Sequence, residues 1–300
     1  MNEVKVIGKV ESINQGAHFC NTTIVNEFNK AINIKLEPDE AKDLLVGKAY
    51  LFNTVSSVKE EKEILTLVDF ILIENVLEEE ELNRLLPIFY SYAPIGPKEL
   101  KEGVETYLNG IGNETIKLIT KELYNNYKNE FYVHSAATKF HHAYVGGLAH
   151  HTLTMLKLVK PFLEVYPYLN ADLIYSGIIL HDMSKIKEIT GADGEYTKEG
   201  LLIGHLVMIA MEIEKVATKH GLENSEEVLL LKHIVLSHHG LLNYGSPKKP
   251  QIGEALLIWF LDTIDSKFAT LKLAYDETDA GSFTNMLQVL DRMRFYKDEL

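Results

Sequence analysis

Twelve histidines occur in 300 residues, and eleven of them fall between His134 and His239. Imidazoles so concentrated suit two kinds of chemistry, proton transfer and metal ligation. The most telling stretch is SGIILHDMSKIKE, residues 176–188. There an apolar run, Ile178, Ile179 and Leu180, ends at adjacent His181 and Asp182, with Lys185 one turn further on. An unpaired charge beside a buried run is costly, so this pair calls for a compensating partner or a metal ion.

Other segments supply matching groups. In GGLAHHTLTMLKLV, helical spacing puts His151 on one face with Leu148, Met155 and Val159, while His150 sits beside Lys157. His151 is therefore expected to point inward. GLLIGHLVMIAMEIEKV reads as one helix with His205 on the face of Leu201, Met208, Ile209 and Glu212. EEVLLLKHIVLSHHG carries His238 one turn beyond Ile234, and His239-Gly240 ends that helix. EALLIWFLDTIDSKF holds Asp262 and Asp265 three apart, on one face of an apolar helix. His134, His141, His142, His220 and His233 read from spacing alone as surface or satisfied core positions. Neutral imidazoles with carboxylates suit Zn, Mn, Fe or Ni, and a single cysteine, Cys20, disfavours a thiolate site. The set exceeds one tetrahedral site, so two ions bridged by Asp182 is the economical arrangement. Such pairs clamp the attacking and leaving oxygens of phosphate-ester hydrolysis.

The elements that must position these groups follow a simple order. Residues 1–75 alternate as strands do, in VKVIGKV and in Ile32, Ile34 and Leu36, with Tyr50-Leu51-Phe52 and ILTLVDFILI as further strands. PDEAKDLLVG reads as a short helix after the third strand, the order of an OB-type barrel. From Val76 the period becomes helical; LEEEELNRLLPIF reads as an amphipathic helix stopped by Pro87. The expected architecture is α+β and multidomain: an OB-type β-barrel (1–76), a helical connector (77–130) and an all-α domain (131–300).

Charge and composition narrow the function classes. The net charge of −13 argues against a broad basic surface for duplex nucleic acid. It leaves room for a nucleic-acid strand held at bound cations, which reverse the local field. No apolar run reaches the ~18–20 residues of a membrane span. The start, MNEVKVIGK, is not a signal peptide, and one cysteine excludes an intrachain disulfide, so the chain reads as cytoplasmic.

The order His151…His181-Asp182…Asp262 resembles the HD-domain phosphohydrolase superfamily, with His205 and His238-His239 matching its two-metal branch. KFHHAYVGGLAHHT, LHDMSKIKE, YTKEGLLIGH, LSHHGLLNYGSPKKP and LDRMRFYK are more specific. They resemble the YhaM-type 3′→5′ exoribonucleases of Gram-positive bacteria, which join an N-terminal OB-fold to an HD domain. Asn243 departs from the pattern, standing where an acidic residue is expected.

The resemblance implies a metal-dependent exoribonuclease that hydrolyses single-stranded RNA, or DNA, to nucleoside 5′-monophosphates by a metal-bound hydroxide. His151, His181, Asp182 and Asp262 would hold one divalent ion. Asp182 would bridge to a second held by His205, His238 and His239. Manganese is the first expectation, with iron, nickel, cobalt and zinc as alternatives. Asp182 and Lys185 would be catalytic, Lys139, His142 and Lys185 would contact substrate phosphate, and Asp265 would orient a ligand histidine. Phe19, Phe28, Tyr50 and Phe52 are the aromatics on which the barrel would stack bases. Residues 1–76 hold eight Lys and twelve Asp or Glu, a net −4, so stacking rather than electrostatic capture should dominate there. No membrane is expected, and a homo-oligomer stays open. Two other readings share these ligands: a phosphodiesterase of a nucleotide or cyclic dinucleotide, and a non-catalytic DNA-binding factor.

Overall fold

The computed structural model of the protein describes residues 2–16, 20–59, 62–138, 142–192 and 194–300. Phe19, Lys139 and His141 lie outside the described residues. The chain divides into two compact units: 1–92 with 190–195, and 93–189 with 196–300. The stretch 77–130, read as a connector, is thus shared between them.

In the first unit, five strands pair in the order β1-β2-β3-β5-β4 and close into a barrel. They are β1 (Asn2–Gln15), β2 (Cys20–Asn26), β3 (Ala31–Lys35), β4 (Ala49–Lys59) and β5 (Lys62–Leu72). Closure depends on β1, long enough to pair with β2 through Gly8–Gln15 and with β4 through Asn2–Lys9. A bulge between Val10 and Ser12 bends it between those ladders. A short parallel pairing, Ile34 with Leu65 and Lys35 with Thr66, joins β3 to β5. Alternate residues point inward, so Val10, Ile24, Ile34, Phe52 and Leu67 fill the core.

Two local readings change here. PDEAKDLLVG makes only a 3-10 turn at Glu40–Lys42, because Leu44 drops into the barrel core and Gly47 (φ 83°) reverses the chain. Helix α1 (Glu79–Phe89) runs past Pro87, which sits in its last turn, so the one i→i−4 bond it forgoes lies near the helix end.

The second unit is helical: α2 (Pro97–Gly110), α3 (Glu114–Phe131), α4 (Gly147–Val165), α5 (Ala171–Leu180), α6 (Lys185–Glu188), α7 (Lys198–Leu202), α8 (His205–Lys219), α9 (Glu226–Ser237) and α10 (Gly253–Asp276). Ser282–Phe283 and Tyr296–Lys297 pair as a two-residue ladder in the tail. No helix among the described residues is long and apolar enough to cross a membrane.

Helix α5 is the centre of this unit. Asn170 caps it by accepting from the Asp172 and Leu173 amides. The Asp172 carboxylate accepts from the Gly112 and Asn113 amides at the start of α3, which ties the two helix starts together. Leu173, Ile174, Ile178, Ile179 and Leu180 are all buried, at roughly 1.5–3 kcal/mol each. That burial anchors the run that delivers His181 and Asp182 to the interior. Gly177 admits the close approach of α9 and α10, since a Cβ there would press on Ile234 and Ile258.

Gly240 is tighter still. Its φ is 74°, and a Cβ would run into the Trp259 ring of α10. Gly240→Ala should therefore destabilise by about 2–4 kcal/mol, the left-handed backbone and the overpacking adding together. Gly110→Ala, with nothing near its Cβ position, should stay within about 1 kcal/mol of wild type. Denaturant unfolding of both variants checks this; equal midpoints would show that α10 yields at Trp259.

Candidate metal centre

Five segments converge on Asp182. Helix α4 brings His151, the end of α5 brings His181 and Asp182, α8 begins with His205, α9 ends at His238 and His239, and α10 brings Asp262. His151, His181, Asp182, His205 and His238 are buried. The seven residues expected as metal ligands thus lie in one cluster, with Asp182 common to both halves.

The two oxygens of Asp182 face different partners. Oδ2 lies 3.3 Å from His181 Nε2 and 3.8 Å from His151 Nε2. His151 Nε2 is in turn 3.4 Å from Asp262 Oδ1 and 3.2 Å from His181 Nε2. Oδ1 lies 3.3 Å from His205 Nε2 and 3.6 Å from His238 Nε2. The His239 ring stacks edgewise on His238 and lies beside His205. His151, His181 and Asp182 can share one ion; Asp182, His205, His238 and His239 can share another.

Three imidazoles are aimed by a hydrogen bond at Nδ1 that leaves Nε2 facing inward, and a fourth, His205, by an ion-pair contact at Nδ1. His181 Nδ1 donates to the Ile178 carbonyl (2.7 Å) and His238 Nδ1 to the Val235 carbonyl (2.8 Å). His151 Nδ1 lies 2.6 Å from Asp265 Oδ2, and His205 Nδ1 lies 2.8 Å from Glu188 Oε2. Glu188 also accepts the His205 amide through Oε1.

The inward atoms themselves are unsatisfied. Asp182 Oδ1, His205 Nε2 and His238 Nε2 are buried without a hydrogen-bond partner. Orphaned buried polar atoms are expensive, and these converge, as the ligands of a divalent cation would. The donor set of imidazole and carboxylate fits such an ion.

Protonation behaviour agrees. Burial pushes His239 down to about 3, helped by the neighbouring His238 and His205, and burial likewise lowers His238. Both are neutral at neutral pH, the form in which an imidazole ligates. Burial opposes charge on His151, but Asp262 and Asp265 outweigh it and hold the imidazole up at about 10. A metal ion bound through His151 must therefore displace a proton. Burial would raise Asp182, yet Lys185 and His181 hold it well below the usual carboxylate range.

Several residues sit differently from their sequence reading. Helix α8 begins at His205, because Gly204 (φ 78°) breaks the continuous helix expected from Gly200 onward. Leu201, expected on the buried face, is exposed. His142, expected at substrate phosphate, is buried, with Nε2 donating to Asp265 Oδ2 (2.7 Å) and Nδ1 2.7 Å from the Tyr144 hydroxyl. That hydroxyl also lies 2.7 Å from His150 Nδ1, which places the half-buried His150 at the outer end of the chain. Asp265 orients His151 as expected. Lys185 Nζ pairs with Asp182 Oδ2 at 2.8 Å and lines a cleft of about 590 Å³ that reaches Glu188, His205 and His239. Glu188 and Tyr144 carry roles the sequence reading missed. Glu188 lies inside LHDMSKIKE, and its only signal there was a carboxylate in the short segment that follows the His-Asp pair.

Residues 148–267 match the HD domain family. The chain is similar to the 3'-5' exoribonuclease YhaM of Bacillus pumilus, 40% identical over 226 residues, 75% of this chain and 71% of that protein. It is also similar to the protein of that name from Bacillus licheniformis, 40% over 219 residues, 73% and 69% of the two chains. A third, from Bacillus subtilis, is 38% identical over 226 residues, 75% and 71%.

Groups that orient ligand histidines typically contribute 10–100-fold in metal affinity. Glu188→Gln should weaken only the ion bound through His205, and Asp265→Asn only the ion bound through His151. Titrating each variant with Mn²⁺ reads this; unchanged affinity in both would reduce the two carboxylates to packing roles.

Proposed function

Because the chain belongs to the family of the YhaM 3'-5' exoribonucleases, we propose that it is a metal-dependent 3′→5′ exoribonuclease. It hydrolyses single-stranded RNA, and single-stranded DNA by the same chemistry, to nucleoside 5′-monophosphates. The observation that carries this reading is Asp182, whose two oxygens face two separate sets of imidazoles.

His151, His181, Asp262 and Asp182 Oδ2 would hold one divalent ion. His205, His238, His239 and Asp182 Oδ1 would hold the other, with manganese the first choice. Bound there, the ions supply Lewis-acid polarisation of the phosphodiester and activation of the attacking water. The chain's own part is to hold the ligands and to receive the strand. Lys185, lining the cleft, places its ammonium where a non-bridging phosphate oxygen would enter beside Asp182. Asp265 and Glu188 keep His151 and His205 in register.

The barrel fits an OB-type module for single strands, and the helical unit fits the hydrolase. Of the aromatics proposed for stacking, Tyr50 and Phe52 are buried in the barrel core and serve packing instead. Phe28, 74% exposed in the turn after β2, is the one open to a base. Lys139 and Phe19 keep their proposed roles only as sequence readings, since both lie outside the described residues.

Asp182→Ala should remove bound metal and abolish hydrolysis while circular dichroism stays that of a folded helical protein. A variant with wild-type metal content and rate would refute the bridging role. With wild-type protein, a linear single strand should release mononucleotides from the first time point while a circular one resists. Internal fragments from the circle would overturn the exonuclease assignment.

Phe28→Ala should weaken binding of a long strand about fivefold, since stacking one base is worth about 1 kcal/mol at the low end. It should leave cleavage of a dinucleotide unchanged. Equal effects on both substrates would place Phe28 outside the binding path.

A further inference from the structure

The cleft that reaches His205 and His239 is lined by the charged Lys185 and Glu188 and by Tyr196 with the apolar Ile203 and Val207. These three side chains are 53%, 41% and 39% exposed. Single exposed apolar residues are ordinary on a protein surface, but three gathered in one cleft beside ligating imidazoles are a binding feature.

Tyr196 is also held firmly. Its backbone pairs with Ile189 in an antiparallel bridge just beyond α6. The next residue fastens the segment a second time, Thr197 donating through its amide to the Glu188 carbonyl (2.9 Å) and through its hydroxyl to the Lys187 carbonyl (2.7 Å). Thr197 then caps α7. The ring is thus tied by the bridge and these bonds to the segment that carries Lys185 and Glu188, so the spacing between the aromatic ring and those charged groups is built in. Among the described residues the Tyr196 hydroxyl has no hydrogen-bond partner and its ring meets no other aromatic ring. A tyrosine placed this way contributes little to the core and is available to a ligand.

The ligand such a cleft fits has an anion at one end and a flat apolar plate at the other. On the exonuclease reading above, that is the nucleotide being removed. We propose that Tyr196 stacks on the base of the 3′-terminal nucleotide, with Ile203 and Val207 completing an apolar slot. The slot reads the π-face of the base and not its edge, so all four bases are accepted. Because Tyr196 is bridged to the segment of Lys185, stacking also fixes the register of the scissile phosphate.

The test uses full-length, Mn²⁺-loaded protein and two matched single strands, one ending in a normal 3′ nucleotide and one ending in an abasic residue. Wild type should lose about tenfold in kcat/KM on the abasic end, as expected for one lost stacking contact. Tyr196→Ala should lose about tenfold on the normal end and nothing further on the abasic end, with unchanged metal content. Tyr196→Phe should behave as wild type, because the ring and not the hydroxyl does the stacking. If Tyr196→Ala discriminates between the two ends as strongly as wild type, or if Tyr196→Phe matches Tyr196→Ala, the proposal is overturned while the hydrolase reading stands. If wild type degrades neither strand, the hydrolase reading itself fails and takes the proposal with it.

Discussion

Everything in the helical unit is arranged around the difficulty of burying one carboxylate. Asp182 is 3% exposed and follows an apolar helix that would hold no charge by preference. Its stability there depends on what surrounds its two oxygens, namely imidazoles on both sides and the Lys185 ammonium on Oδ2. Helices α4, α9 and α10 pack directly against α5, and α8 is held through α9 and α3, so the core and the site are one construction. A shift of α5 along its axis would lose Ile178 and Leu180 from the core and misplace Asp182 together.

The two halves of the site are built to the same recipe. Each contains one histidine at a helix C-terminus, His181 or His238, whose Nδ1 donates to the carbonyl three residues earlier. Each also contains one histidine held by a carboxylate, His151 by Asp265 or His205 by Glu188. The carbonyl device is local and follows from ending the helix at that residue. The carboxylate device is long-range and brings charge, which raises the basicity of the ligand it orients. Behind His151 the chain of contacts runs on through His142 and Tyr144 to His150, so this half is braced more deeply than the other.

The clustered imidazoles and carboxylates were legible in the sequence because each broke a pattern: a His-Asp pair closing an apolar run, a histidine on an apolar face, carboxylates inside a buried helix. Their supports were not. Glu188 lies in KIKE, which has the composition of a solvated surface, and its partner His205 is 17 residues away. His142 looks like any loop histidine until the fold brings Asp265 to it across 123 residues. The break at Gly204 was hidden because apolar residues continue on both sides of it, although those before it are exposed. For Tyr50 and Phe52 the signal was present and underused. Residues two apart on a strand share a face, so a barrel core that takes one takes both.

The polarity of the helices that meet at the site has an electrical consequence. Helices α5 and α9 both end there, at His181 and His238. Each helix C-terminus carries a partial negative charge of about half an electron, from carbonyls that no longer find an amide. Two such ends directed at one point favour a cation there by about 0.3–1 kcal/mol each, partly offset by the N-terminus of α8, which begins at His205. This contribution belongs to the backbone, so substitution of a ligand side chain leaves it in place. A variant stripped of one imidazole therefore keeps part of its attraction for a divalent ion, and loses geometry sooner than it loses charge.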